Sequence, residues 1–399
     1  MTINRWLALA LLFLARTAMG FQFQSLGAVS PLLMRDLGIE FALLGTLVGI
    51  WMLPGAFVAV PGGALGHRFG EKRMVVLGLG LMALGTLMIA MAGTYEAVFA
   101  GRLVSGIGAV IVNVLLTKMA ADWFADRELS TAMGLLVVSW PLGIGVALVA
   151  LGPLAAASSW AVAMHVTLGV CIVAFVGIAL GYRSPARAAS ATASSSRLSA
   201  RELGLVSLAG IVWALFNVAY ILVVSFVPAL LSQRGMPPAH SALLVSLSTW
   251  PVVLTAPLGG MLADRTGRPN ALIYGSFAGM AISMWLMLGV DKVWLMLLAF
   301  GLLAGPCAGP IMALPAKVLR PDSRALGMGV YYTWYYVGMA VLPPAAGYVR
   351  DATGLFAAPL LFGCALLVLG AIAFYVFVHL AGAGKAAGAF RTRPIVRKN

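Results

Sequence analysis

Apolar residues along this chain fall in long blocks, and the polar residues gather in short stretches between them. Twelve apolar stretches run roughly over 6–33, 42–64, 74–93, 96–121, 130–155, 160–182, 203–231, 241–263, 270–289, 293–319, 325–349 and 355–380. A helix needs about 20 apolar residues to cross the hydrocarbon of a bilayer. Each stretch has that scale, and we number them spans 1 to 12. Membrane β-strands would read as alternating runs of about 10 residues. The pattern therefore predicts an all-α membrane protein with twelve transmembrane helices.

One polar break differs from the rest. Residues 183–202, RSPARAASATASSSRLSARE, are basic, rich in Ala and Ser, and without apolar period. They read as a flexible linker between six spans and six spans. The two sides are related. Gly62-Gly63-Ala64-Leu65-Gly66-His67-Arg68-Phe69-Gly70 returns 197 residues later as Gly259-Gly260-Met261-Leu262-Ala263-Asp264-Arg265-Thr266-Gly267, with five of nine positions identical. Pro54 and Pro251 pair at the same offset. The predicted organisation is an N-terminal half at 1–182, the linker, a C-terminal half at 203–380 and a basic, disordered tail at 381–399. A duplicated helical half in a membrane protein points to a transporter in which one half moves against the other.

Composition agrees. The 399 residues are 62% hydrophobic and 10% charged, with mean hydropathy +1.00. A soluble chain of this size lacks the interior volume to hide that much apolar surface. The net charge of +14 might suggest nucleic acid, but its placement does not. With the N-terminus inside, twenty Lys and Arg fall in inner loops and tails and four, Arg35, Arg234, Lys292 and Arg350, in outer loops. This asymmetry predicts a plasma (inner) membrane protein with both termini cytoplasmic. The lipid bilayer is the macromolecular partner, and no nucleic acid is called for. Cys171, Cys307 and Cys364 lie inside spans, with neither disulfide nor metal spacing. No cofactor is expected. The N-terminus has the outline of a signal peptide, but the duplication requires span 1 as the counterpart of span 7.

These residues resemble the major facilitator superfamily. Its loop between spans 2 and 3 reads Gly-x-Leu-Ala-Asp-Arg-x-Gly-Arg/Lys, and Gly260, Leu262, Ala263, Asp264, Arg265, Gly267 and Arg268 match it. The first copy keeps Gly63, Leu65, Arg68 and Gly70, with His67 in place of Asp. Arg102 and Gly106 meet a second pattern, Arg-x-x-x-Gly in span 4. The resemblance implies that the two loops act as conformational latches, the acid capping a helix and pairing with Arg; neutral His67 weakens the first. Ser139-Trp140-Pro141-Leu142-Gly143-Ile144-Gly145 matches poorly the Gly-rich span 5 signature of drug/proton antiporters. The run from Lys118 to Gly145 looks most like the cyanate and nitroimidazole permease-like branch.

The candidate chemistry lies inside the spans. Arg16 sits about midway along span 1 and Arg102 within span 4, while all twelve carboxylates fall in loops or at helix ends. A buried Arg costs at least about 2.5–3.5 kcal/mol, so it faces a partner or a wet cavity. With no carboxylate in mid-membrane, the counter-ion arrives with the substrate, which is then a small organic or inorganic anion suited to guanidinium donors. The competing reading puts Arg16 and Arg102 on backbone carbonyls or snorkelling to an interface. Asn113 shares a face with Arg102. Gln24, Asn217 and Tyr220 add polar groups, and in the resembled family spans 1, 4, 7 and 10 line the central path. Tyr332, Tyr335 and Tyr336 share one face of span 11, and Trp140 is the repeat counterpart of Tyr335. Inter-helix hydrogen bonding is the bland alternative for each Asn and Gln.

The reading is a secondary transporter, functional as a monomer, that moves an anion by alternating access. The alternative is an exporter of neutral or amphiphilic compounds. No Walker pattern, metal cluster or nucleophile–base pair supports an enzyme. His165 is the one histidine considered for a proton relay, so the coupling ion, like the direction of transport, stays open.

Overall fold

The computed structural model describes residues 4–57, 69–124, 129–184, 198–320 and 323–391. The described chain is helical in every span. Span 1 is Arg5–Ala28, followed by the short helix Ser30–Leu37. Span 2 starts as Phe41–Ile50 and resumes at 53–57. Spans 3 to 6 are Glu71–Ala90, Tyr95–Phe124, Leu129–Ala157 and Trp160–Val176, the last extended by a π-helical turn at Gly177–Gly181. Span 7 is Ala200–Gln233, and span 8 is built from Pro238–Ser246 and Trp250–Thr266. Spans 9 to 12 are Pro269–Leu286, Val293–Met312 with Leu314–Val318, Arg324–Thr353 and Ala358–Arg391. Among the described residues nine helical segments are long and apolar enough to cross a bilayer unaided. Span 2 is broken, and spans 9 and 11 carry Asn, Ser, Tyr and Pro that lower their hydropathy; their neighbours hold them in place.

Two sequence boundaries shift. The linker was drawn to 202, but Ser199 and Glu202 form a capping box that starts span 7 at Ala200; reciprocal satisfaction of free N–H groups fixes the start there. The tail was drawn as disordered from 381, yet the span 12 helix runs to Arg391. Residues 185–197 of the linker lie outside the described residues.

Within each half, small residues let backbones close. A Cβ on Gly78 would lie 2.7 Å from the Gly108 carbonyl oxygen, so spans 3 and 4 touch through glycine. Gly20 and Gly143 seat span 1 against span 5 in the same way. Lipid offers no hydrophobic drive between helices, so close packing of this kind carries the association.

The duplication reaches the hydrogen bonds. Span 2 tightens where Met52 N bonds Gly49 O at 2.9 Å and Gly55 N bonds Met52 O at 2.9 Å. Span 8 repeats this with Thr249 N to Ser246 O at 2.9 Å and Val252 N to Thr249 O at 3.1 Å, the 197-residue offset again. Both breaks adjoin a proline, Pro54 or Pro251, which removes an N–H and disfavours helix before it. Gly70 (φ +89°) and Gly267 (φ +63°) repeat a further pairing, each turning the chain between spans with a positive φ that other residues resist.

The halves meet along spans 1 and 7, 2 and 11, and 5 and 8. The hydrogen bonds that join them among the described residues lie from mid-span to the end remote from the linker. Gln24 Nε2 donates to Val224 O at 2.6 Å. Phe41 N and Ala42 N, at the start of span 2, donate to the carboxylate of Asp351 on span 11, at 3.1 and 2.6 Å. Asn113 Nδ2 donates to Tyr336 Oη at 3.1 Å nearer the middle. Glycines 45, 49 and 347 leave no room for a Cβ at the span 2–span 11 contact.

Candidate functional site

The two mid-membrane arginines have different surroundings. Arg16 is partly exposed. Its Nε is buried with no hydrogen-bond partner among the described residues. Its electrostatic neighbours are Tyr332, Tyr336 and Tyr335 of the opposite half, not carboxylates. The exposed part of Arg16 therefore looks into the space between the halves.

Arg102 is fully buried. Its Nε donates to Leu47 O at 2.9 Å and its Nη1 to Gln22 O at 3.3 Å. The guanidinium also sits 5.6 Å from the Phe23 ring centre and 5.7 Å from that of Trp51. Nε and Nη1 of Arg102 thus take the backbone-carbonyl reading, while its Nη2 is buried with no partner among the described residues. The reason is local: at the span 2 break the Trp51 N–H turns to Gly49 O, which frees the carbonyl of Leu47. Gln22 completes the knot, accepting from Trp51 Nε1 at 2.7 Å and donating to Thr86 Oγ1 at 3.1 Å.

The other predicted residues divide the same way. Tyr332 and Tyr335 are partly exposed beside Arg16, and Tyr336 is buried on Asn113. Trp140 is partly exposed, 5.4 Å from Phe23 and 5.9 Å from Trp51. Trp213, which the sequence reading passed over, faces Tyr335 at 6.3 Å and Tyr331 at 6.5 Å; its signal was its place at the repeat counterpart of Arg16. Gln24 and Tyr220 are committed elsewhere. Gln24 is sealed in the span 1–span 7 contact, where Ser225 Oγ also donates to it at 3.4 Å. Tyr220 Oη donates to Thr249 Oγ1 at 3.1 Å, steadying the span 8 break. Asn217 returns its amide to Trp213 O at 2.8 Å on its own helix. His165 is exposed on the outer face of span 6, with Nδ1 on Ala161 O.

Carboxylates are held at helix ends. Lys118 pairs with Glu71 and with Asp122, the latter at 3.0 Å. Glu202 accepts from Arg320 and Ser323. Of the latch loops, Gly63, His67 and Arg68 lie outside the described residues, as does the side chain of Asp264; Gly260 is helical, and Arg265 and Arg268 are exposed. A groove of about 440 Å³ between spans 9 and 12 is a different feature: Val368, Ile372 and Tyr375, more than half exposed, open it to the lipid side.

Two duplicated helical bundles enclosing a polar, arginine-bearing interface define a multi-pass membrane transporter rather than an enzyme. The chain belongs to the Major Facilitator Superfamily, whose sequence model matches residues 12–243 and again 206–397. It is similar to the inner membrane transport protein YajR of Escherichia coli (strain K12), 24% identical over 352 residues that cover 80% of this chain and 73% of that one. It is similar to a probable sulfoacetate transporter, SauU, of Cupriavidus necator, 24% identical over 384 residues and 88% of each chain. In fold it matches the nucleoside transporter NupG, with TM-score 0.74 at 15% identity, covering 94% of this chain and 99% of that one.

Proposed function

We propose that the protein moves a small organic or inorganic anion across the inner membrane by alternating access, with both termini cytoplasmic. The observation that carries this is Arg16: a cation inside the bilayer span, open to the interface between the halves, with no carboxylate beside it. Buried charge without a partner is expensive, and an anionic ligand supplies the partner. Tyr332, Tyr335 and Asn113 add neutral donors. The described contacts join the halves at the end remote from the linker, and we read the loop motifs at 62–70 and 259–267 as serving the state in which that end is open. The permease-like run at 118–145 supports a small anion.

A thermal-shift screen of purified protein against small carboxylates, sulfonates and inorganic oxyanions tests the reading, because a ligand that binds the folded form raises its stability. Arg16→Ala and Arg16→Lys remove or weaken the shift. Undiminished uptake of the identified anion by both variants ends the proposal. The aromatic wall of Trp140, Trp213 and Tyr335 favours one competing reading, export of an amphiphile; counterflow with hydrophobic dyes against anions separates the two.

A further inference from the structure

We propose that the central site selects by charge number and takes a monoanion, excluding the dianion of the same shape. This deepens the anion reading above and rests on Arg16 as the anchor. The argument is a count of charge.

Among the described residues, Arg16 and Arg102 are the cations more than six residues from either end of their helix. Arg102 is withdrawn by burial: it has no exposed surface behind Phe23 and Trp51, with Nε and Nη1 on the carbonyls of Leu47 and Gln22 and Nη2 without a partner among the described residues. That leaves Arg16, partly exposed and beside the phenols of the opposite half. The side chains around it are Tyr332, Tyr335 and Tyr336, with Asn113 hydrogen-bonded to Tyr336. They donate hydrogen bonds but carry no charge. Among the described residues no other charged group acts on Arg16. The ionisable groups of the helices packed on span 1 are His165, exposed on the far side of span 6; Tyr95 and Glu96 at the start of span 4; Lys118 and Asp122, tied together with Glu71; Arg35 and Asp36, paired with each other on the short helix after span 1; Tyr220, bonded to Thr249; and Arg201 and Glu202 at the start of span 7, on Leu380 O and Arg320.

A monoanion therefore leaves the occluded site neutral. A dianion leaves one uncompensated negative charge in a medium of low polarity, which is heavily penalised unless paired. Phenols titrate near about 10, so the groups facing Arg16 hold their charge between pH 5 and pH 8. Any change of affinity across that window follows the ligand's own ionisation.

Two probes of matched shape test this on the full-length protein in detergent. Benzenesulfonate is a monoanion throughout. Phenyl phosphate passes from monoanion to dianion around pH 6, the second ionisation of a phosphate ester. Affinities are measured by calorimetry at pH 5 and pH 8 for the wild type and for Arg16→Gln. The expected result is constant affinity for benzenesulfonate and a loss on the order of 100-fold for phenyl phosphate at pH 8, the fall in its monoanion fraction. Arg16→Gln abolishes both. Phenyl phosphate binding as tightly at pH 8 as at pH 5 overturns the charge count while leaving Arg16 as an anion anchor. Binding of neither probe at either pH, or a pattern unchanged in Arg16→Gln, overturns the anchor and the charge count together.

Discussion

Arg16 and Arg102 carry the same side chain into the same half of the protein and end in opposite circumstances. Arg16 meets phenols across an open interface. Arg102 meets a carbonyl that a helix break has released. An Arg in a span is a demand for partners, and the neighbouring backbone decides how far the protein itself supplies them. Replacing Arg102 by Met orphans the Leu47 carbonyl in a dry interior, at a cost of about 1–3 kcal/mol. The expected outcome is a lower melting temperature in detergent, with the anion-induced shift retained. A variant with normal melting that has lost the anion response would place Arg102 in the binding site instead.

At the scale of elements, the halves meet both along helix faces and at a helix end. Asp351, on span 11, accepts from the first N–H groups of span 2 in the other half. This is an N-cap supplied across the interface, and on the proposed mechanism it is lost when that end opens. A lost N-cap is worth about 1 kcal/mol, or roughly fivefold in the closed-to-open ratio. We expect Asp351→Ala to raise by that factor the labelling of Ser225→Cys, a buried position on the same seam, by an impermeant maleimide. The measurement uses a background in which the partly buried Cys364 is replaced; Cys171 and Cys307 are buried. An unchanged rate would mean that Asp351 does not hold that end shut. Gly347 tests the seam by bulk. A Cβ there would strike the Phe41 carbonyl, so Gly347→Val labels faster at Ser225→Cys than the Gly347 protein, while its circular dichroism stays helical.

For the whole molecule, the repeat governs. The 197-residue offset read in the loops recurs in the paired breaks of spans 2 and 8 and in the positive φ of Gly70 and Gly267. The charge content does not repeat: the counterpart of Arg16 in the other half is Trp213, and the phenols beside Arg16 come from that half. An anion held by Arg16 and by the tyrosines of span 11 would therefore tie the halves together, which is how binding can bias their relative motion. Orientation is tested by fusions. A fluorescent reporter that folds only in the cytoplasm should be bright after residue 399 and dark when inserted at Gly235, between spans 7 and 8; the reverse would invert the proposed topology.

Length and period of the apolar blocks were enough to set the all-helical class and membrane residence, because lipid leaves a spanning chain little choice but helix. The loop motifs were enough to reach the superfamily. The candidate site was legible only in part. Arg16 and the span 11 tyrosines could be named, since charge and phenols in a span are rare. Which arginine stays free could not, because that turned on a released carbonyl of Leu47, 55 residues away from Arg102. Gln24 and Asp351 looked respectively like a cavity ligand and a loop acid; packing of one half on the other made both of them fasteners. Local preference is written in the order of residues, whereas the partner a polar group finds depends on which backbone groups the assembled helices leave unsatisfied beside it.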